Sequence, residues 1–222
     1  MKRSFHYIKL ATCIVTCAAV WALAPGCASS GYDKGNKTAQ NIQTAANRIA
    51  VLPAQVNKTM ASLNDLVNKP QADLRPQFKQ FTSHLAEVES AAKEIAAARR
   101  TMGEKSKEFF ADWDKQLAQI NNEDIKARSE ERKKDVAAKM DAIKRSYTET
   151  EVAFRPFLTG LQDVRKYLSV DLTSGGIAAI KNTVTKADQD AAKLGASITQ
   201  LSEQFKALGL AMSSVTPTAP AK

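Results

Sequence analysis

The amino-acid sequence predicts an all-α protein: an elongated, antiparallel four-helix bundle of coiled-coil type with a longer central hairpin. Three observations carry this expectation. Apolar residues between Ile42 and Leu208 recur at alternating spacings of three and four, the period of helices that share a seam. Composition favours helix over sheet: of 222 residues 44% are hydrophobic but only 6% aromatic, with nine Gly and seven Pro. Helix-breaking residues fall at three places and cut the pattern into four stretches.

The first helix is expected near 37–68, on the seam Ile42, Ala45, Ile49, Leu52, Val56, Thr59, Leu63, Leu66. Pro70 and Pro76 end it. The second, near 74–121, runs through Phe78, Phe81, Leu85, Val88, Ala92, Ile95, Arg99, Met102, Ser106, Phe109 and Trp113, then slips slightly to Leu117 and Ile120. The polar stretch Asn121 to Asp124 separates it from the third helix, near 123–170, whose seam is Val136, Met140, Ile143, Tyr147, Thr150, Phe154, Phe157, Leu161, Val164, Leu168. After a break at Asp171 to Gly176, with Ser174, Gly175 and Gly176 read as the turn, the fourth helix covers 176–210 with the cleanest seam, from Ile177 through Val184, Leu194 and Ile198 to Leu208.

At 1.5 Å per residue the middle helices reach roughly 70 Å and the outer two roughly 50 Å. The central hairpin should therefore overhang beside the N-terminus, leaving the segment 117–132 with one helical neighbour. Antiparallel pairing about Asn121 to Ile125, in this register or one layer away, sets Met102 near Tyr147 and Phe109 near Met140, and places Arg99 opposite Thr150, between Glu149 and Glu151, as a polar layer that fixes register. Pro53 and Pro156 lie inside helical stretches but off the seams, where they bend a helix without opening the core.

Before the helices comes an address. Lys2, Arg3 and Lys9 precede an apolar run from Leu10 to Ala24 that closes on Pro25, Gly26 and Cys27, the layout of a secretory signal over 1–26. The run is shorter than the ~20 apolar residues of a membrane-spanning helix, the rival reading. Small residues ahead of Cys27 resemble the bacterial lipobox, although Leu23 stands four places before the cysteine and Ala24 three. That resemblance implies cleavage before Cys27, its lipidation and attachment to a membrane through acyl chains alone, and Ala28 after it implies the outer membrane. Residues 27–36 then read as a lipidated, flexible tether and 213–222 as a disordered tail, leaving 37–212 as the bundle domain.

Much chemistry is excluded. The three cysteines, Cys13, Cys17 and Cys27, precede the body, and His84 is the one histidine beyond His6, so thiol catalysis and multi-histidine metal sites are not expected there. No phosphate-binding glycine loop, HExxH or nucleophile elbow occurs. His84 reads as a flank residue. Asp112 and Asp114 of the DWD triplet, two apart on a helix, point to different faces and cannot converge on one atom. EERKKD at 130–135 is a solvated mixed-charge surface. No catalytic residue, metal or cofactor is expected, and no nucleic-acid partner; an enzyme would have to work with carboxylates alone.

Two candidate interaction sites remain. Without residues 1–26 the chain keeps 29 Lys plus Arg against 23 Asp plus Glu, a formal +6. Its excess is concentrated near the lipid end, where Lys34, Lys37, Arg48 and Lys58 meet no acid until Asp65, a candidate contact with anionic headgroups or cell-wall phosphate. At the hairpin tip, Trp113, Leu117, Ile120 and Ile125 are candidate partner contacts because two helices bury apolar groups thinly.

FFADWDKQL at 109–117, AFRPFLTGLQDVRKYL at 153–168 and DLTSGGIAAI at 171–180 resemble a family of uncharacterised bacterial lipoproteins, domain of unknown function 2959. The resemblance implies an envelope lipoprotein of long helices and assigns no catalytic residue. The expectation is a non-enzymatic, lipid-anchored spacer or interaction scaffold on the periplasmic face of the outer membrane, touching an unidentified envelope protein or cell-wall polymer. The alternative is a binding module whose basic first helix recognises anionic lipid or cell-wall polymer.

Overall fold

A computed structural model describes residues 31–213. The signal segment 1–26, Cys27 and the tail beyond Ser213 lie outside the described residues. Four helices make up the fold: α1 (Gly31–Asn68), α2 (Arg75–Leu117), α3 (Glu123–Val170) and α4 (Ser174–Met212). Among the described residues there is no strand. The helices form a ring in which α1 packs along both α2 and α4, α3 packs on α4, and α2 and α3 touch least. The bundle is antiparallel and, with helices of 38 to 48 residues, about 57 to 72 Å long.

The seams form the core. Ile42, Leu63, Leu66, Phe81, Leu85, Leu161, Leu168, Ile198, Phe205 and Leu208 are all buried, and they belong to one continuous apolar cluster. Each burial removes an amphipathic stripe from water, which is what stabilises helices whose propensity alone is marginal.

Helix ends depart from expectation where side chains add a local reason. The tether expected up to residue 36 is, from Gly31 on, already α1. Gly35 is buried against α2, and a Cβ there would stand 3.4 Å from Phe109 Cε2, so this glycine permits close helix approach rather than marking a linker. The Thr38 hydroxyl donates to the Lys34 carbonyl at 2.9 Å. At the other end of the hairpin, α2 stops at Leu117, four residues early, because Asn122 caps α3 by accepting the Ile125 N–H at 3.1 Å. Thr173 likewise accepts the Gly176 N–H at 3.1 Å, so Ser174, Gly175 and Gly176 are the first turn of α4 and not the turn before it.

Along the α2–α3 side the contacts lie within one layer of the expected pairing: the Arg99 guanidinium carbon stands 4.6 Å from the Tyr147 ring centre, and the Ser106 hydroxyl 3.0 Å from Met140 Sδ. The expected long overhang is corrected. Lys34 at the start of α1 pairs with Asp112 at 2.6 Å, and Arg132 donates to the Ala211 carbonyl near the end of α4 at 2.5 Å. The outer helices therefore reach almost to the tip.

The α1–α2 turn is organised by Gln77, a buried polar residue of α2. Its amide nitrogen lies 2.9 to 3.2 Å from Asp65 Oδ2, the Lys69 carbonyl and the Asp65 carbonyl, while its amide oxygen accepts the Gln71 N–H at 3.0 Å. One side chain thereby bonds the Lys69 carbonyl past the end of α1, adds a second donor to the Asp65 carbonyl that the Lys69 N–H already meets, and orients the connection.

Candidate interaction surfaces

Lys34, Lys37, Arg48 and Lys58 are all exposed on α1, and at 100° per residue they fall within an arc of about 120°. The stripe is continuous with a groove between α1 and α2. Lys34, Lys37 and Asn41 line one wall, and Lys105, Glu108, Phe109, Asp112 and Lys115 line the other. Two acids from α2 thus enter a surface that looked free of acid along the chain. The Lys34 ammonium, by its hydrogen bond and then its charge, holds the Asp112 carboxyl below its ordinary range. Lys105 pairs with Glu108 at 2.8 Å. Four cations facing two anions leave the groove positive, and Arg48 and Lys58 extend that charge along the rod.

The DWD triplet divides as its spacing dictates. Asp112 turns to Lys34 of α1, whereas Asp114 pairs with Lys133 of α3, so the two carboxylates tie different helices to α2. Between them Trp113 closes an aromatic group: its ring lies 5.4 Å edge-on to Phe109 and 6.5 Å, stacked, from Phe110, and its indole N–H donates to the Ser129 hydroxyl at 2.9 Å. The consecutive aromatics in FFADW were the signal for this packing.

The tip is less open than expected. Ile125 is 55% exposed, but Trp113 and Ile120 are half-buried and Leu117 is only 6% exposed. The cause is local. The Gln119 and Ile120 N–H groups bond to the Gln116 and Leu117 carbonyls, folding the chain back over the end of α2, while the outer helices shield the aromatic group from below. Of the four apolar tip residues, Ile125 alone is exposed.

The polar layer expected opposite Thr150 takes another form. Thr150 donates to its own helix at the Ser146 carbonyl, Glu151 pairs with Arg155 at 2.6 Å, and Arg99 lies over Tyr147. No ion pair crosses from α2 to α3 at this level. About three turns further along, Glu89 of α2 accepts from Arg165 and Gln162 of α3 at 2.8 to 3.2 Å. Burial pushes its carboxyl up, but those hydrogen bonds and the Arg165 charge outweigh that and hold it below the usual carboxylate range. This cross-helix clasp was not legible in the sequence, because Glu89 stands off the apolar seam. His84 is half-buried on the flank of α2, with Nδ1 unpartnered.

Among the described residues no group of three His, Cys, Asp or Glu side chains converges as metal ligands, and no helix is long and apolar enough to cross a membrane. No curated protein and no solved structure matches the chain. A family model does match, over residues 26–207, from the residue before Cys27 through all but the end of α4. By that match the chain belongs to the family described as Protein of unknown function (DUF2959).

Proposed function

We propose that the protein is a non-enzymatic cell-envelope lipoprotein, held by lipid on Cys27 at the periplasmic face of the outer membrane, whose bundle acts as a spacer or interaction scaffold. The observation that carries this reading is the position of Gly31, which opens α1 four residues after Cys27. A lipid on Cys27 then keeps the α2–α3 turn, at the same end, beside the membrane. The turns at 69–74 and 171–173 stand at the other end, about 55 to 60 Å away along α1. Interaction falls to the far end and flanks of the rod.

Photo-crosslinking in intact cells tests the reading. A photoreactive residue at exposed Gln71, at the far end, should give adducts with an envelope protein or cell-wall polymer, while one at exposed Gln119 should label lipid. Cys27→Ser should abolish both. Adducts that persist in Cys27→Ser, or a Gln71 position that labels lipid, contradict it.

A second reading has one observation in its favour: the four basic residues of α1 share a face. As a binding module, α1 would lie along anionic headgroups or cell-wall phosphate. Sedimentation with anionic vesicles or isolated cell wall should then fall with added salt, and fall again when Lys37, Arg48 and Lys58 are changed to Gln.

A further inference from the structure

The weakest side of the ring is the seam between α2 and α3, which meet least of the four neighbouring pairs. Between the Arg99–Tyr147 contact and the Glu89 clasp, α2 turns Ala92 and Ala96 to this side, where the other seams place larger side chains. Short side chains cannot fill the space facing α3. A cavity of about 170 Å³ results, walled by all four helices and open between α2 and α3. Its floor is apolar, with Leu52, Ile95, Phe154 and Leu201 from the four helices in turn, each buried. An apolar space of about 150 Å³ is enough to take up a benzene-sized molecule.

Both internal prolines stand at this level. Pro53 follows Leu52, and Pro156 lies between Arg155 and Leu158 on the cavity wall. Each removes the N–H that the carbonyl four residues earlier would accept, those of Ile49 and Val152, so α1 and α3 deform most easily where the cavity lies.

One cation stands beside the cavity apart from the ion pair on its rim. Glu151 and Arg155 at the rim neutralise each other. Arg99 lies over the Tyr147 ring and pairs with no carboxylate among the described residues. Burial, and after it the Glu151 charge, raises the Tyr147 phenol, which therefore stays protonated and able to donate at neutral pH. An apolar cleft with Tyr147 on its wall and the Arg99 guanidinium against that ring matches a molecule with an apolar body and an anionic end.

We propose that the cleft between α2 and α3 binds a single-chain amphiphile, with its apolar chain in the cavity and its anionic head on Arg99 and the Tyr147 hydroxyl. The head is a carboxylate or a phosphate, as in a fatty acid or a single-chain phospholipid. The site is independent of the basic stripe on α1 and of membrane anchoring.

Displacement of the fluorescent anion 1-anilinonaphthalene-8-sulfonate tests this, using the full chain carrying Cys27→Ser to avoid detergent. Decanoate, decyl phosphate, decanol and decyltrimethylammonium serve as competitors below their micellar concentrations. At least one of the two anions should displace the dye with about 1:1 stoichiometry and bind at least tenfold more tightly than the cation. The stronger of the two identifies the head. Ala92→Leu, which fills the cavity, should weaken binding at least tenfold without lowering the melting temperature, and Ala96→Leu on the same wall makes the comparison if Ala92→Leu does not fold. Arg99→Gln should weaken the anions about fivefold and leave decanol unchanged. The proposal is overturned if no anion displaces the dye, if the cation binds as tightly as the anions, or if the folded cavity-filling variant binds as the parent does.

Discussion

Gly176 and Gly195 stand in the same helix and have opposite reasons to be glycine. At Gly176 a Cβ would lie 2.1 Å from the Asp171 carbonyl oxygen, whereas at Gly195 it would meet nothing within 4 Å. Gly176→Ala should therefore destabilise by about 1 to 3 kcal/mol, since backbone must move. Gly195→Ala should stabilise by about 0.5 to 1 kcal/mol through helix propensity alone. Denaturant melts of the pair check both signs. Glu89 gives a pH signature. Its folded carboxyl is held low, so its contribution is complete above the unfolded value of about 4.3 and is lost as pH falls through the lower folded one. Glu89→Gln should cost about 1 to 2 kcal/mol at pH 7. The gap to the parent protein should close on acidification below about pH 4, and a gap that stays constant down to pH 2.5 would place the clasp outside the folding equilibrium.

The four helices and their apolar stripes were legible because burial imposes a repeat that any window of the chain displays. Helix ends were legible only in part, since caps and close approaches depend on residues distant in sequence. Gly35 reads as a linker residue until Phe109 is set against it, and Asn121 and Asn122 read as part of a polar break until one of them caps α3. Register was legible to within one layer, and the contacts of Arg99 with Tyr147 and of Ser106 with Met140 place it. Of the candidate sites, the basic stripe on α1 was visible in the run of cations, but its facing acids, Glu108 and Asp112, belong to another helix. Gln77 carried no signal at all, because a hub residue is defined by the carbonyls that tertiary structure brings to it. Gln77→Leu should cost about 1 to 2 kcal/mol by removing the donor to Asp65 Oδ2 and the Lys69 carbonyl and the acceptor of the Gln71 N–H. Amide exchange should quicken first over 65–77, and uniform protection across that turn would show that the backbone holds the connection without the side chain.

At the scale of the whole molecule, ring order and length determine what each end meets. The chain enters α1 at the end that carries the α2–α3 turn, so an anchor at Cys27 and the exposed Ile125 act at one level, with the positive α1–α2 groove just beyond them. The filled seams between α1, α2 and α4 make a stiff rod, while the alanine-lined side between α2 and α3 leaves room for a ligand. The central claim is that this rod stands away from the membrane that holds its lipid. Energy transfer from a fluorophore to acceptor dye in the bilayer, measured on the lipidated protein in vesicles, tests it most directly with labels at Gln119 and at Gln71. The account predicts strong transfer from Gln119 and a Gln71 label some 50 to 60 Å further from the bilayer surface, the length of α1. Equal transfer from both positions, the result for a bundle lying flat on its basic face, would contradict it.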